Sequence, residues 1–479
     1  MSSTLQILLI SPFLDVGLWT DLRLPNLALY ILEGLTPPEH KVRIVEGDPR
    51  AIDLDQECDL VGISCMTPNA PSAYGLADEF RKRGRTVVMG GIHPTVLPDE
   101  ALQHADCVVV GEAEGVWETL LQDFQHGRLQ QRYHDPAPDL TRYVPKAFSR
   151  MPKGMYGVVP IMTSRGCPYE CEFCSVSDIY GRKIRHIPIE NVVRDIRESG
   201  ARTVGFLDDN IVGDSIYAKQ LFAAIKPLGI HWAGQASVSL LVRDDALLRL
   251  AAESGCVHLL MGLESVSEVQ VRAVRKMYNE IEQLEAALEK IRKQGILVHA
   301  SMVFGFDTDT LGSFDDTVRY LVKNRLGSAN FNILTPHPGT KVRERLKREG
   351  RLLNSDWQNY DHQNVVFKPM NMTPFELQSG NSAAWRKFYS PASVLKRLPA
   401  NMAQPGMYLA TNYGLMRGFA SRKRESHLLR TGSVGVEGGS GHFPIARVSG
   451  ACSSSLPPGL DAVGSASGMP EQKTTEEVV

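Results

Sequence analysis

The stretch Arg165-Gly166-Cys167-Pro168-Tyr169-Glu170-Cys171-Glu172-Phe173-Cys174 decides how the rest of the chain is read. Its CxxxCxxC spacing brings three thiolates together on one short loop. Each can hold one iron of a 4Fe-4S cluster, and with no fourth cysteine nearby one iron stays open to a small molecule. The competing readings are a structural zinc loop and three ordinary cysteines. Zinc usually takes four protein ligands in paired CxxC-type groups, and no second pair or Cys/His cluster follows at a suitable distance.

The triplet also stands at the end of a strand. Val158 to Thr163, Thr203 to Leu207, His231 to Ser237, Val257 to Leu263, Leu297 to Phe304 and Ala329 to Leu334 read as strands. The segments Ile189 to Glu198, Ser215 to Ile225, Asp244 to Glu253, Ile281 to Lys293 and Ser313 to Lys323 read as helices between them. Six such units predict a partial (β/α)6 barrel over 154–340, with its site at the carboxyl ends of the strands.

A second alternation precedes it, over 1–133. Leu5 to Ile10, Val42 to Val45, Leu60 to Ser64, Thr86 to Met89 and Cys107 to Val110 read as strands, and Pro25 to Leu35, Pro71 to Arg83 and Glu114 to Phe124 as helices. This predicts a doubly wound, Rossmann-like parallel sheet whose ligand lies at the strand ends. Those ends carry Ser11-Pro12, Gly47-Asp48, Ser64 to Thr67, Gly90-Gly91 and Gly111-Glu112, where glycines admit close backbone approach. A linker over 134–153 joins the two α/β domains. Residues 341–428 read as a helical C-terminal region with basic residues (Lys341, Arg343, Arg345, Lys347, Arg348; Arg422-Lys423-Arg424) and aromatic ones (Trp357, Trp385, Phe388, Tyr389, Tyr408). Such a region is expected either to cover the barrel mouth or to be a cap with a solvated charged face. The Gly-, Ser- and Pro-rich stretch 429–479, with Cys452, reads as a disordered tail.

The chain has 479 residues, enough for two or three domains, and a net charge of -2, which argues against a nucleic-acid partner. Of the eight cysteines, Cys58, Cys65, Cys107, Cys256 and Cys452 are scattered, with no disulfide framework. The N-terminus has no signal-peptide pattern and no apolar run approaches the length of a membrane span. A reducing cytoplasm is the expected setting.

With Phe173 as the aromatic residue before the last cysteine, the motif resembles that of the radical S-adenosylmethionine (SAM) superfamily. The first 125 residues resemble the cobalamin-binding domain that precedes the barrel in one subgroup of it, through Asp59-Leu60-Val61-Gly62-Ile63-Ser64, Gly90-Gly91-Ile92-His93-Pro94-Thr95 and Val110-Gly111-Glu112-Ala113-Glu114. The resemblance implies that Cys167, Cys171 and Cys174 hold the cluster, beside Phe173, and that the open iron chelates SAM. It implies SAM contacts from Asp208, Asp209 and Asn210, from Gln235 and Ser237, and from Glu264, and cobalamin contacts from Ser64, Gly90, Gly91, Gly111 and Glu112. Two bland roles compete: one of the Asp/Asn residues caps the next helix, and Ser265 is an N-cap. The DxHxxG motif that gives cobalt a histidine is absent, because Gly91 stands where it needs Asp, so His93 is expected to be a hydrogen-bonding loop residue. His337, in Thr335-Pro336-His337-Pro338-Gly339-Thr340, has the same bland reading beside a possible action on substrate. Cys256 is expected to be buried, and Tyr180 to face the interdomain cleft or simply pack.

In the subgroup, a 5'-deoxyadenosyl radical takes a hydrogen atom from an unactivated carbon, which then takes the methyl of methylcobalamin; other members use the same cofactors for cyclisation or oxidation. The resemblance therefore implies a C-methyltransferase or a cyclase of the anaerobic tetrapyrrole type, with an external flavodoxin or ferredoxin as electron donor. A cobalamin sensor without turnover is a third reading. The basic and aromatic C-terminal region suits a small apolar or anionic substrate, such as a lipid, a polyketide-like metabolite or a tetrapyrrole.

Overall fold

The computed structural model describes residues 4–13, 24–136, 138–142, 151–153, 157–267, 281–398 and 405–422. Residues 137 and 143–150 of the expected linker, Lys423, Arg424 and the whole tail with Cys452 lie outside the described residues. Six strands, β1 Gln6–Pro12, β2 Lys41–Gly47, β3 Leu60–Ser64, β4 Thr86–Gly90, β5 Cys107–Gly111 and β6 Arg132–Asp135, form a parallel sheet in the order β2-β1-β3-β4-β5-β6. Alternate residues serve opposite faces. Leu8 and Ile10 of β1 join Val61, Ile63, Phe80 and Met89 in one apolar layer, while Ile7 and Leu9 join Leu29, Val88 and Trp117 in the other. Burial on both faces is why these strands read as continuous apolar runs. The strand order reverses between β1 and β3, and a crevice at such a switch point opens beyond the strand ends.

β6 was not expected. Arg132-Tyr133-His134-Asp135 is the edge strand, pairs with β5 from Val108↔Arg132 to Gly111↔Asp135, and buries only Tyr133, so no apolar run announces it.

The second domain opens with β7 Val158–Ile161. The antiparallel pair β8 Ser164–Arg165 and β9 Arg185–His186 closes the base of the cysteine loop. β10 Thr203–Phe206, β11 His231–Gln235, β12 Cys256–Glu264, β13 Leu297–Phe304 and β14 Ser328–Ile333 complete a parallel sheet in the order β14-β13-β12-β11-β10-β7. The expected strands are all present, with ends shifted by one or two residues, and Cys256 begins β12 as a buried residue. Helix boundaries follow local chemistry: Asp214 caps Ser215–Ile225 by accepting from the Ile216 and Tyr217 amides, and Gly200, in the left-handed region, ends Ile189–Ser199.

A partial barrel leaves β14 as an open edge, with backbone groups in need of partners. The C-terminal helices supply them. Tyr389 Oη donates to the Ala329 carbonyl (2.7 Å) and accepts from its amide (2.9 Å), while Asn381 Nδ2 and Trp385 Nε1 donate to the Phe331 carbonyl at 3.0 and 3.1 Å. The fully buried Arg397 donates to the carbonyls of Leu326, Gly327 and Phe388 and to Asn412, with its guanidinium 3.7 Å from the Phe388 ring centroid. Of the two roles expected for this region, Trp385, Phe388, Tyr389 and Tyr408 serve as a cap: they are buried and absorbed in covering the sheet edge and packing the helices behind it. Arg397→Leu is expected to lower stability by on the order of 3 kcal/mol or more in urea unfolding, because several buried carbonyls lose their donor together.

Candidate active site

The cysteine loop leaves β8 at Gly166, whose φ of +96° is open to glycine; a Cβ there would lie 2.7 Å from the Lys183 carbonyl oxygen. The Cys174 amide donates to the Cys171 carbonyl (3.1 Å), which turns the loop back on itself. Burial pushes the Cys174 thiol up to about 12, with Cys171, Cys167 and Asp209 close enough to add to the shift. Among the described residues no three His, Cys, Asp or Glu side chains close around one ion. Phe173 packs edge-on against Phe306, ring centroids 6.0 Å apart.

The basic residues expected at the mouth include latches for this loop. Lys341 pairs with Glu170, Arg345 with Glu172 (3.2 Å) and Asp307 (2.6 Å), and the Val342 amide donates to the Glu172 carbonyl (2.9 Å). Helix Lys341–Arg348 thus clamps the loop, with Arg345 partly buried in the contact and Lys341 reaching Glu170 at the exposed surface.

At the end of β10 the three polar residues diverge. Asp208 is fully buried and accepts from the Thr163 amide (3.1 Å), the Thr163 hydroxyl (2.6 Å) and the Ser164 hydroxyl (2.5 Å), tying β10 to the strand before the cysteines. Burial raises its carboxyl pKa, while those hydroxyls oppose the shift. Asn210 donates to the Ser237 hydroxyl (2.8 Å) and accepts from the Ser237 amide (3.1 Å), so it fixes the end of β11. Asp209 is half-buried and borders the cysteine loop; burial lifts it to about 6 against a hydrogen bond from Gly166. Leu207, just before, keeps 38% of its surface exposed, as does much of Gln235 at the end of β11. Glu264 ends β12 at φ +65°, beside a register shift against β13. A non-glycine residue held there is strained, and such strain gathers at functional sites. Ser265 accepts from the Ser267 amide (3.1 Å), and the helix start it was expected to cap lies outside the described residues.

Sequence reading missed polar residues inside the sheet. His299 and Ser301 share one face of β13, Asn330 and Asn332 one face of β14, and Asn332 donates to Ser301 (3.1 Å). Their signal was there: polar residues at period two inside strands that should be apolar on both faces.

In the first domain, Ser64, Gly90, Gly91, Gly111 and Glu112 do gather at the strand ends. Gly91 (φ +98°) is needed by the chain itself, since a Cβ would lie 2.6 Å from the Cys65 carbonyl oxygen. In front of Gly90 the nearest atom to a Cβ is 3.8 Å away. Met66, 58% exposed beside Ser64 and Cys65, adds apolar surface at the crevice. Small residues plus an uncovered thioether fit a broad, largely apolar ligand such as a corrin. His93 is fully buried, with Nδ1 3.3 Å from the Thr67 hydroxyl and Nε2 3.2 Å from Glu100, so both ring nitrogens are taken.

Glu112 turns away from that crevice. Its carboxylate pairs with Arg165 and Arg185, and Glu114 pairs with Arg165, all four side chains being largely buried. Although burial works against the Arg165 charge, Glu114 and Glu112 raise its pKa. This network bolts the first domain to the residue preceding Gly166 and the cysteines. Tyr180, which either faces the interdomain cleft or packs, lies by Arg165, Asp209, Glu112 and Glu114.

A nucleotide-type sheet and a partial barrel that meet at their strand ends, with three thiols on the seam, define a two-domain enzyme built around a metal cluster and a second large cofactor. Residues 161–321 match the radical SAM superfamily, 24–121 a B12 binding domain and 340–421 a domain of unknown function (DUF4070). Bacteriochlorophyllide d C-8(2)-methyltransferase of Chlorobaculum tepidum is 31% identical over 395 residues, covering 78% of this chain and 87% of that protein. The C-12(1)-methyltransferase of the same organism is 31% identical over 352 residues, 71% and 76% of the two chains. The methyltransferase TsrM of Kitasatospora setae, solved with cobalamin and a [4Fe-4S] cluster, shares the fold at a TM-score of 0.66 and 16% identity, over 87% of this chain and 99% of that one. The chain belongs to the radical SAM superfamily, in its B12-binding branch, and is an enzyme whose cofactors are a 4Fe-4S cluster, SAM and cobalamin. No helix among the described residues is long and apolar enough to cross a membrane.

Proposed function

We propose that this enzyme is a C-methyltransferase acting on an unactivated carbon of a tetrapyrrole-type small molecule. The observation that carries the reading is the seam, where Arg165, two residues before Cys167, pairs with Glu112 and Glu114 just beyond the end of β5. When bound, the cofactors supply a carbon-centred radical and a transferable methyl group.

The chain's own residues do the rest. Cys167, Cys171 and Cys174 hold the cluster, and Asp209 accepts from the ammonium group of SAM. Asp208 and Asn210 keep that strand end in place, while Gln235, Ser237 and Glu264 meet the ribose and carboxylate. Ser64, Gly90, Gly91 and Gly111 line the cobalamin crevice, with Met66 beside them. Phe173, Phe306 and Leu207 keep water from the reacting carbon. Glu112, given a cobalamin contact by family resemblance, serves the interdomain network instead. The reading includes a flavodoxin- or ferredoxin-type donor and a reducing cytoplasm, which suits the buried free thiols of Cys58, Cys65, Cys107 and Cys256.

The test is anaerobic reconstitution with SAM deuterated at its methyl group and a chlorin acceptor. A product heavier by a labelled methyl is expected. An unlabelled, ring-closed or oxidised product would select the cyclase reading.

A further inference from the structure

Three groups at the seam have no part in holding the cofactors. His337 follows β14, so it lies at the catalytic end of the barrel, and its Nε2 is 3.1 Å from Nε2 of His362. One hydrogen is shared between the two nitrogens, so one ring donates and the other accepts. His362 sits at φ +65°, a costly conformation for a non-glycine residue, and its carbonyl accepts from the Ile333 amide (2.7 Å), which pins its loop to the end of β14. Beside the pair stands Arg343, its guanidinium 4.8 Å from the Trp357 ring centroid and 5.4 Å from that of Tyr360. Arg343 donates to the Pro336 carbonyl (3.2 Å) and the Tyr360 hydroxyl (3.1 Å), and no carboxylate among the described residues pairs with it.

The nearby carboxylates have other partners. Glu100 accepts from Trp357 Nε1 (2.8 Å) and Tyr74 Oη (3.1 Å) and faces His93, while Asp361 accepts from the Gln363 and Asn364 amides. The cluster borders the first domain directly: the Trp357 ring lies 5.3 Å from that of His93, and a Cβ on Gly339 would lie 3.2 Å from Val96. Burial, then His362, Arg343 and His93, hold the His337 pKa well below its usual value. Arg343 is therefore a single positive charge flanked by neutral hydrogen-bonding rings.

We propose that Arg343, His337 and His362 form a carboxylate-binding subsite that orients an acidic side arm of the substrate across the seam. Arginine suits this task because its fork matches a carboxylate, and stacking on two aromatic rings holds that fork in place. The neutral rings add hydrogen bonds without repelling the arginine. This deepens the tetrapyrrole reading and rests on it for the identity of the ring, not for the anion.

The test compares zinc pheophorbide a, a chlorin with one free propionate, with its methyl ester on the reconstituted enzyme, by chlorin fluorescence. Calorimetry with 3-phenylpropionate, which has no macrocycle, runs in parallel. The acid is expected to bind about tenfold or more tightly than the ester, the scale of a charge-assisted hydrogen-bond pair. Arg343→Gln should erase that preference and Arg343→Lys should restore part of it; His337→Asn should reduce it by a smaller factor. Equal affinity for acid and ester overturns the subsite and leaves the ring reading standing, and so does a preference that survives Arg343→Gln. If neither chlorin binds, the ring reading fails and phenylpropionate decides: binding that Arg343→Gln removes supports the carboxylate subsite, and no binding overturns it.

Discussion

Alanine at any one of Cys167, Cys171 or Cys174 is expected to reduce reductant-dependent cleavage of SAM to background and to strip the protein of most of its iron and sulfide. The reason lies in loop geometry. Gly166 and the Cys174-to-Cys171 hydrogen bond turn the chain so that the three thiols neighbour one another, while helix Lys341–Arg348 holds the loop from outside through Glu170 and Glu172. A cluster already short of a fourth protein thiolate has no spare ligand, so losing one of three undoes the site. The scattered cysteines offer the control: Cys256 is buried at the start of β12, and Cys256→Ala should keep both iron content and SAM cleavage. The measurement is iron and sulfide per chain, with 5'-deoxyadenosine quantified after dithionite reduction. Intact iron and SAM cleavage in the alanine variants would end the radical interpretation.

Arg165→Leu is the second large effect. It leaves Glu114 without its arginine and Glu112 with Arg185 alone, in surroundings where the side chains of both carboxylates are about nine-tenths or more buried. Breaking one partner from a buried ion pair costs about 3–5 kcal/mol, because the remaining charge has neither water nor counter-ion. The loss should appear as a lower urea midpoint. Glu112→Gln should cost less, since Arg165 retains Glu114, and the double variant should fall short of the sum of the singles, as expected for groups in one network. If Arg165→Leu is as stable as the parent, the seam is not held by these charges. The same series separates clamp from cofactor contact: Glu112→Gln should leave equilibrium cobalamin affinity nearly unchanged, whereas a residue touching the corrin would lower it.

Much of the architecture was legible because it is written in short-range pattern. Parallel strands covered on both faces are largely apolar, so Leu60 to Ser64 and Cys107 to Val110 announce themselves, and helices such as Ser215–Ile225 carry their own caps. β6 escaped because an edge strand with one buried side chain has no such pattern. The Asp-Asp-Asn motif was legible as a polar strand end, but not as three different environments. Only packing decides that Asp208 faces Thr163 and Ser164, that Asn210 reaches Ser237, and that Asp209 borders the cysteines.

By itself, the sequence determined the cluster chemistry and the two α/β domains. Ligand spacing is covalent and hydrophobic period is local, so both survive without knowledge of the fold. Tertiary structure alone decided which charges meet. Glu112 finds Arg165 and Arg185 across 53 and 73 residues, the aromatic helices find the open edge of β14, and His337 finds His362 beside an arginine with no carboxylate partner. Such pairings depend on how two domains are brought together in space, and no periodicity along the chain encodes them.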